Sequence, residues 1–441
     1  MQRILRLSVV LRIVMTLAAT LTMALLFVVL FEPGLAYKTQ GPVPASDTRD
    51  FLNVLGSALE QAPLQPGQST VFAQGAQFYN AELAQIRSAR SVIDLEAFIF
   101  HDTPVGRRFL AALTERAKAG IRVRVVVDAV GSLPTPDHFF DGLRAAGGQV
   151  AWYQPFRWYT LKRWNNRTHR ELLIIDGHTA FVGGAGIGSA WDTGDAPLPP
   201  WRDVMVQVDG ATARGLQSVF AQSWLESHGE ILIDSEIASN VPVADLPLVQ
   251  LARLPVDTPV AMTVGSTPTG GRSTRARVLF QLMVGAARKD LLIASPYFVP
   301  DLSMRQALLA AAARGVRVRI ITNGVHNNHP IARLASRRHY GELIAGGIAI
   351  HEYQPGMTHT KVMLVDGLWS VIGSTNFDNR SFGLNNEVNL AQRDVTLAHQ
   401  LELVIGSYLG QSHTVSLEDW SRRSLAERVL ASIGIALERQ E

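Results

Sequence analysis

Apolar and polar positions follow the same order in two parts of the chain. Residues 95–129 and residues 292–324 each contain an apolar segment, a turn, an amphipathic segment, a glycine and a second apolar segment. Amphipathic spacing predicts a helix, and short apolar runs predict strands. The closing segments RVRVVVDA and RVRIITNG are typical of strands covered by helices on both faces. The pattern therefore predicts a duplicated α/β unit, each copy a mostly parallel sheet flanked by helices.

A strict register extends this duplication further along the chain. Residues 147–155 resemble residues 346–355, and residues 168–184 resemble residues 358–374. Within the second pair a constant offset of 190 positions (359 − 169 and 366 − 176) relates the matching residues, which are His169 and His359, Asp176 and Asp366, and Gly183 and Gly373. Equal spacing of this kind indicates two tandem copies of a whole unit.

An uncharged run near the N-terminus predicts a transmembrane helix that anchors the chain. Arg3, Arg6 and Arg12 precede the run Ile13–Phe31. As a helix these 19 residues would span about 28 Å, close to the ~30 Å core of a bilayer. A cleaved signal peptide and a buried core helix are the alternatives. The arginines favour the cytoplasmic side, so the rest of the chain is predicted to lie outside the cytoplasm.

Composition shifts divide the chain into five parts. The Pro-, Gly- and Thr-rich stretch between the copies predicts a linker. The tail 419–441 has apolar positions at helical spacing and is predicted to pack on the second copy. The predicted parts are the membrane anchor or signal 1–37, a loose juxtamembrane segment 38–66, the first repeat 67–237, a linker with one leading strand 238–272, and the second repeat with its C-terminal helix 273–441.

The second copy concentrates residues suited to binding phosphate. Around the predicted strand 362–365 the chain has HTK at 359–361, Asp366, and GSTN at 373–376. Alternation along a strand places His359 and Lys361 on one face, where both would be costly to bury unpaired. The lysine would supply a charge for a phosphate oxygen, and Ser374 and Asn376 would supply neutral donors. Asp366 precedes a glycine and is interpreted as a residue that fixes the turn.

Composition excludes some chemistry and leaves the partner open. The chain has no cysteine, which excludes disulfides, thiolate catalysis and cysteine-bound zinc. It lacks a GxxxxGK[ST] nucleotide loop. Hydrophobic residues make up 47% and charged residues 18%, which is typical of a chain with a substantial core. The net charge of +3 is compatible with anionic lipid or nucleic acid and requires neither.

The motif of the second copy resembles the HxK(x)4D(x)6GSxN signature of the phospholipase D superfamily. SPYFVPD at 295–301, EYQP at 352–355 and SFGLNNEVNL at 381–390 make the chain similar to bacterial cardiolipin synthases. The resemblance covers about residue 71 to the C-terminus. It implies an active site between two repeats and phosphatidyl transfer without a metal or other cofactor. It also implies that His169 attacks phosphorus to form a phosphohistidine, while His359 serves as acid and base.

That resemblance implies a substrate class, and two alternatives remain. The implied reaction is cardiolipin synthesis from phosphatidylglycerol at a membrane, with anionic phospholipids as partners and no nucleic acid. A hydrolytic phosphodiesterase, either a phospholipase D or a nuclease, is the first alternative. A lipid-binding protein with a dead site is the second, because the first copy departs from the motif.

The first copy carries Glu171 in place of the lysine and Gly186 in place of the asparagine. We consider three interpretations. Arg167, Arg170 or Arg202 could replace the lost charge and hold Glu171. Glu171 could instead orient an incoming hydroxyl, or the first half-site could be degenerate.

Two carboxylates are candidates to orient the histidines, because a carboxylate on one ring nitrogen fixes the tautomer. The resemblance favours Glu387, and Asp203 could equally pair with Arg202 at the surface. The predicted catalytic residues are His169, His359, Lys361, Asp366, Asp176 and Glu387. The predicted phosphate-binding residues are Ser374, Asn376, Lys361, Arg167 and Arg170, and Glu171, Asp203 and Gly186 have open roles.

One further stretch, 157–170, interleaves basic and aromatic residues. Such a mixture suits a lipid headgroup interface, and it also suits stacking on nucleic acid. The predicted anchor favours lipid, and a solvated loop is the alternative.

Overall fold

The computed structural model describes residues 11–24, 37–158, 164–194, 197–233, 258–268, 274–424, 427–428 and 431. The first repeat forms a seven-stranded sheet in the order β1-β7-β6-β5-β2-β3-β4. Its strands are β1 Ser69–Phe72, β2 Val92–Ala97, β3 Arg122–Asp128, β4 Gln149–Tyr153, β5 Leu172–Ile175, β6 Thr179–Gly183 and β7 Met205–Asp209. The helices of this part are α1 Arg49–Leu59, α2 Gly75–Ser88, α3 Pro104–Lys118, α4 Asp141–Ala145, α5 Ser189–Asp192 and α6 Ala211–His228.

The second repeat forms an eight-stranded sheet in the order β17-β12-β11-β9-β13-β14-β16-β8, and β10 pairs separately with β15. Its strands are β8 Val260–Ser266, β9 Asp290–Ala294, β10 Phe298–Val299, β11 Arg317–Asn323, β12 Ala349–Tyr353, β13 Val362–Val365, β14 Trp369–Gly373, β15 Phe377–Asp378, β16 Glu387–Arg393 and β17 Ser412–Thr414. Its helices are α7 Arg275–Ala286, α8 Leu302–Ala313, α9 Pro330–Ala345, α10 Asn379–Gly383, α11 Val395–Leu409 and α12 Leu417–Ser421.

Both large sheets are mixed, so the prediction of a mostly parallel sheet was wrong. Only β2-β3-β4 and β9-β11-β12 run parallel, and every other pairing in the two large sheets is antiparallel. The physical cause lies in two tight hairpins. Asp176 and Gly177 have φ values of 54° and 63°, and Asp366 and Gly367 have 56° and 64°. Two consecutive residues with positive φ turn a strand back on its neighbour.

The two repeats share a buried core. Leu172 and Ile174 of β5 belong to the same apolar cluster as Val362 and Leu364 of β13, so the inner faces of the two sheets pack on one another. The other face of each sheet packs against helices in a cluster of its own. This arrangement fixes the ends of β5 and β13 relative to each other, and both motif histidines lie just before these strands.

The segment 38–66 contains a packed helix, whereas a loose segment was expected. The side chain of Thr48 caps α1 by accepting from the N–H of Phe51 at 3.2 Å. Phe51 and Leu55 are fully buried. The ring of Phe51 meets Trp369 edge-on with centroids 5.8 Å apart. The helix is therefore part of the core of the second repeat.

Other sequence predictions fall partly outside the described residues. Residues 11–24 are helical and exposed, and the predicted span 13–31 continues beyond them. In the described ranges we find no helix with the length and apolar character needed to cross a membrane. The linker lies outside the description up to residue 257, after which β8 forms the expected strand. Most of the tail beyond α12 also lies outside it.

Candidate active site

Two backbone crossings join the motifs of the two repeats. The N–H of His169 donates to the carbonyl of Asn386 at 2.9 Å, and the N–H of His359 donates to the carbonyl of Arg202. The residue after Asn386 is Glu387, and the residue after Arg202 is Asp203. Each motif histidine is thus brought beside a carboxylate that belongs to the other repeat.

The His169 ring is held by Glu387. Its Nδ1 lies 3.1 Å from Oε1 and 3.2 Å from Oε2 of that carboxylate. Glu387 is fully buried, and it also accepts a short hydrogen bond from the Ser374 hydroxyl. Burial alone would raise the pKa of Glu387, but His169 and these hydrogen bonds outweigh it and hold the pKa below its usual value. With Nδ1 of His169 held by the ionised carboxylate, Nε2 is the ring nitrogen that does not contact Glu387.

The His359 ring is held in the same manner by Asp203. Nδ1 lies 2.9 Å from Oδ2 of Asp203, which is fully buried. The indole N–H of Trp191 donates to the same oxygen at 3.1 Å. Asp203 is therefore not a surface partner of Arg202, and that alternative was wrong. Trp191 was missed by the sequence analysis, because its role depends on packing between α5 and β7.

Lys361 supplies the cation of the site. Its Nζ lies 2.8 Å from Nδ1 and 3.2 Å from Nε2 of His359, and it donates to the His359 carbonyl at 2.7 Å. Burial lowers the pKa of Lys361 to about 8, against the opposing charges of Asp203, Glu387 and Glu171. The Lys361 side chain therefore stays mostly protonated at neutral pH.

Burial and the charge of Lys361 lower the pKa of His359 to about 4, although Asp203 opposes the shift. The ring is consequently neutral at neutral pH in the absence of substrate. A phosphodiester anion beside Lys361 would offset the cation and raise the pKa of His359.

Ser374 and Asn376 lie in the turn that follows β14. Both are buried, and the Ser374 hydroxyl is used in holding Glu387. The side-chain oxygen of Asn376 is buried without a hydrogen-bond partner among the described residues. This unpaired oxygen is an acceptor, as a phosphate oxygen is, so donation from the Asn376 NH2 group to phosphate stays a prediction.

Asp176 and Asp366 lie at the far ends of β5 and β13 from the histidines. Asp176 accepts from the N–H groups of residues 90, 91 and 92 at 2.9, 2.8 and 3.0 Å. Asp366 accepts in the same way from residues 288, 289 and 290 at 3.1, 2.7 and 3.0 Å. The structure therefore does not bring these two motif residues to the histidines. They fix the hairpins that orient β5 and β13, as the turn interpretation of Asp366 expected.

The side chain of Glu171 is buried, and only 5% of the residue is exposed. Its carboxyl accepts from the N–H of Phe98 at 3.2 Å and from the N–H of Ile99. Burial raises the pKa of Glu171 well above its usual value, and the two N–H groups and Lys361 offset this only in part. Burial thus favours the neutral form of the Glu171 carboxyl.

Gly186 lies against this carboxyl. A Cβ at Gly186 would lie 3.0 Å from Oε1 of Glu171 and 2.8 Å from the Cβ of Ile99. The volume that a side chain at position 186 would need is thus filled by Glu171 and Ile99. Glu171 and Gly186, which both depart from the motif, are thus one coupled change in packing.

The arginines of the first motif are occupied elsewhere. Arg167 lies 3.5 Å from Asp128 and donates to the carbonyl of Gln154 at 2.8 Å. Arg170 is fully buried, and its guanidinium donates to the Ser223 hydroxyl and to backbone carbonyls that include Glu387 O and Val219 O. Within the described chain no arginine contacts Glu171, so the expected pairing of Glu171 with Arg167, Arg170 or Arg202 was wrong. Phosphate binding by Arg167 and Arg170 stays a prediction, and both side chains are engaged with protein groups.

Aromatic rings border both histidines. Phe98 meets His169 edge-on at 5.2 Å between centroids. Trp191, Trp201 and Tyr297 lie 5.3, 5.5 and 6.3 Å from the ring of His359. In the basic and aromatic stretch, residues 159–163 lie outside the description, and Trp158 and Trp164 are exposed.

Two repeats with histidine, lysine and carboxylate groups converging between them define a phospholipase D-type architecture, and comparisons with known proteins agree. A family described as "Cardiolipin synthase, PLD-like domain" matches residues 83–192 and 281–407. The chain belongs to this family of cardiolipin synthase-type phospholipase D-like proteins.

Individual relatives support the assignment. Cardiolipin synthase A of Pseudomonas fluorescens is 34% identical over 82% of this chain and 71% of the relative. The probable cardiolipin synthase YwiE of Bacillus subtilis is 32% identical over 79% of this chain and 67% of the relative. The crystal structure of phosphatidylserine synthase from Haemophilus influenzae has a TM-score of 0.69 and 14% identity, and it covers 88% of this chain and 99% of that one. At that identity the likeness shows the fold alone.

Proposed function

We propose that this protein transfers a phosphatidyl group between phospholipids, and that it makes cardiolipin from two molecules of phosphatidylglycerol. The single observation that carries the proposal is the crossed pair of hydrogen bonds, His169 to Glu387 and His359 to Asp203. Two imidazoles with fixed tautomers can divide a displacement at phosphorus between attack and proton transfer. The names of the relatives supply the substrate class.

The first half of the reaction uses His169 as nucleophile. Its Nε2 attacks the phosphorus of a phosphatidylglycerol, an Nε2–P bond forms, and the bond from phosphorus to the headgroup oxygen breaks. His359 gives its proton to the departing glycerol. The phosphodiester anion beside Lys361 favours the protonated form of His359 that this step needs.

The second half returns the enzyme to its starting state. A headgroup hydroxyl of a second phosphatidylglycerol loses its proton to His359, and its oxygen attacks phosphorus. The Nε2–P bond to His169 breaks, and cardiolipin leaves. Lys361 faces negative charge on the phosphoryl oxygens in both steps, and a fixed cation stabilises that charge without reorganising.

Labelled phosphatidylglycerol tests the proposal with the full-length protein. Cardiolipin and free glycerol in equal amounts are the expected products. Phosphatidic acid alone would indicate a hydrolase, and no turnover would indicate a binding protein. His169→Ala and His359→Ala are expected to lose nearly all product, because each histidine acts in both half-reactions.

The site is further proposed to work at a membrane, with the chain anchored by its N-terminal apolar run and the two repeats outside the cytoplasm. The apolar run 13–31 and the preceding arginines support this orientation. A reporter that functions only outside the cytoplasm, fused after residue 441, is expected to be active. Activity of a cytoplasmic reporter at the same position would contradict the orientation.

A further inference from the structure

The surroundings of the two histidines differ in chemistry. Trp191, Trp201 and Tyr297 border His359, and Trp191 is fully buried while Trp201 and Tyr297 are partly exposed. Trp201 and Tyr297 are therefore the rings among these three that lie near His359 and also reach solvent. His169 instead faces the ring of Phe98.

Tyr297 connects His359 to a polar loop after β11. The phenol donates to the side-chain oxygen of Asn328 at 2.7 Å, and its ring lies 5.8 Å from the ring of His329. Asn328 and His329 are exposed. The NH2 group of Asn328 makes no hydrogen bond to any residue in the described ranges. This loop therefore presents hydrogen-bonding groups beside the ring of Tyr297.

A buried residue fixes the backbone before Tyr297 relative to the backbone before His359. Asn323, at the end of β11, is 1% exposed. Its NH2 group donates to the carbonyls of Pro296 at 3.2 Å and Thr358 at 3.0 Å, and its oxygen accepts from the N–H of Thr358 at 2.8 Å. The residues just before Tyr297 and just before His359 are thus tied to one amide. The distance from the phenol to the His359 ring is set by the fold rather than by an exposed loop.

We propose that Tyr297, Asn328 and His329, together with the ring of Trp201, form a subsite for a polyol headgroup. The inference rests on the proposed function, in which His359 exchanges a proton with the leaving alcohol and with the incoming one. Both alcohols must then lie on the His359 side, opposite the attacking His169. A flat aromatic wall accepts the carbon face of a polyol, while amide, phenol and imidazole groups exchange hydrogen bonds with its hydroxyls. The ligand class is a headgroup with neighbouring hydroxyls, such as glycerol.

Competition between two small acceptors tests this subsite. Full-length enzyme is given phosphatidylglycerol in mixed micelles with equal concentrations of labelled glycerol and ethanol, and labelled phosphatidylglycerol and phosphatidylethanol are quantified. Ethanol can take the phosphatidyl group but offers no second hydroxyl. Tyr297→Phe and Asn328→Ala are each expected to lower the ratio of glycerol to ethanol transfer about threefold to tenfold, the usual effect of one lost hydrogen bond. Asn53→Ala, at an exposed position on α1, is the matched control and keeps the wild-type ratio.

The outcomes separate the subsite from the proposed function. A wild-type ratio in both subsite variants would overturn the subsite. An equal loss of glycerol and ethanol transfer, with the ratio unchanged, would also overturn it, because a purely structural role lowers both. A wild-type enzyme that transfers to neither acceptor and makes no cardiolipin would instead refute the proposed function.

Discussion

Replacing Glu171 tests how the first half-site works without a lysine. The Glu171 carboxyl accepts hydrogen bonds from the N–H groups of Phe98 and Ile99. The ring of Phe98 in turn packs edge-on against the ring of His169. We therefore expect Glu171 to act as a positioning residue for His169, through Phe98. Burial raises the pKa of Glu171 and so favours the neutral carboxyl, and accepting the two hydrogen bonds requires an oxygen atom rather than a negative charge.

The size of the effect follows from the two donors. Glu171→Ala removes the acceptor and leaves the N–H groups of Phe98 and Ile99 unpaired. Each unpaired group costs roughly 1–3 kcal/mol of folding stability. We expect the free energy of unfolding to fall by about 2–6 kcal/mol, toward the lower end if water enters and pairs with these groups. We also expect a slower reaction, because Phe98 would be displaced. Glu171→Gln keeps an oxygen acceptor in a side chain of the same shape, so its stability and its reaction rate are both expected to stay close to wild type. Glu171→Lys removes the acceptor and adds a second cation near Lys361, so it is expected to be the worst of the three.

Urea unfolding and cardiolipin formation from phosphatidylglycerol are measured on the same preparations. Equal damage in Glu171→Gln and Glu171→Ala would show that an ionised carboxylate is needed, as in the orientation of an incoming hydroxyl. A faster reaction in Glu171→Lys would refute the positioning role. Wild-type rates in all three variants would support a degenerate first half-site.

The remaining predictions concern the nucleophile, an orienting acid and a buried acid. Enzyme quenched with denaturant at mildly alkaline pH, where the P–N bond survives, is expected to carry the phosphatidyl group on His169, and mapping it to His359 would reverse the assignment. Asp203→Asn is expected to slow cardiolipin formation by on the order of 10²–10⁴-fold through the mispositioned His359, and a loss below about tenfold in the same assay contradicts the role. Burial raises the pKa of Glu82 from 4.5 to about 8. Between these pH values the folded chain binds more protons than the unfolded chain, so the free energy of unfolding falls as the pH rises through this window. Glu82→Gln is expected to gain up to about 3 kcal/mol at pH 7 and almost nothing near pH 4.5 in urea unfolding, and the same change at both pH values would contradict this.

Local patterns were informative where a role depends on spacing along the chain. The constant offset predicted equivalent positions for His169 and His359, and the structure places them just before β5 and β13. The mixed sheets could also have been predicted, because Asp-Gly between apolar runs is a hairpin signal. That signal was interpreted as part of a motif, and the antiparallel pairing of β5 with β6 was missed.

Roles that depend on packing between the repeats could not be predicted from spacing. Nothing in the order of residues indicates that Glu387 serves His169 and Asp203 serves His359, because the crossing arises where two turns pair their backbones. The fate of Arg170 is similar. Its charge near the motif suggested that it binds phosphate, yet its buried guanidinium donates hydrogen bonds to backbone carbonyls of α6 and β16.

The crossing also explains how the first motif can lose its lysine. Position 184 is the counterpart of Ser374 in the first repeat, and here it is glycine. A Cβ at Gly184 would lie 2.9 Å from Nζ of Lys361 and 2.9 Å from Oδ1 of Asp203. The ammonium of the second repeat therefore extends into the turn of the first repeat, over a position that has no side chain. A phosphodiester carries one negative charge, and one cation placed between the two half-sites can face it from either side. Under this arrangement a lysine at position 171 is not needed to face the phosphodiester, and its place is taken by Glu171, which accepts from the N–H of Phe98.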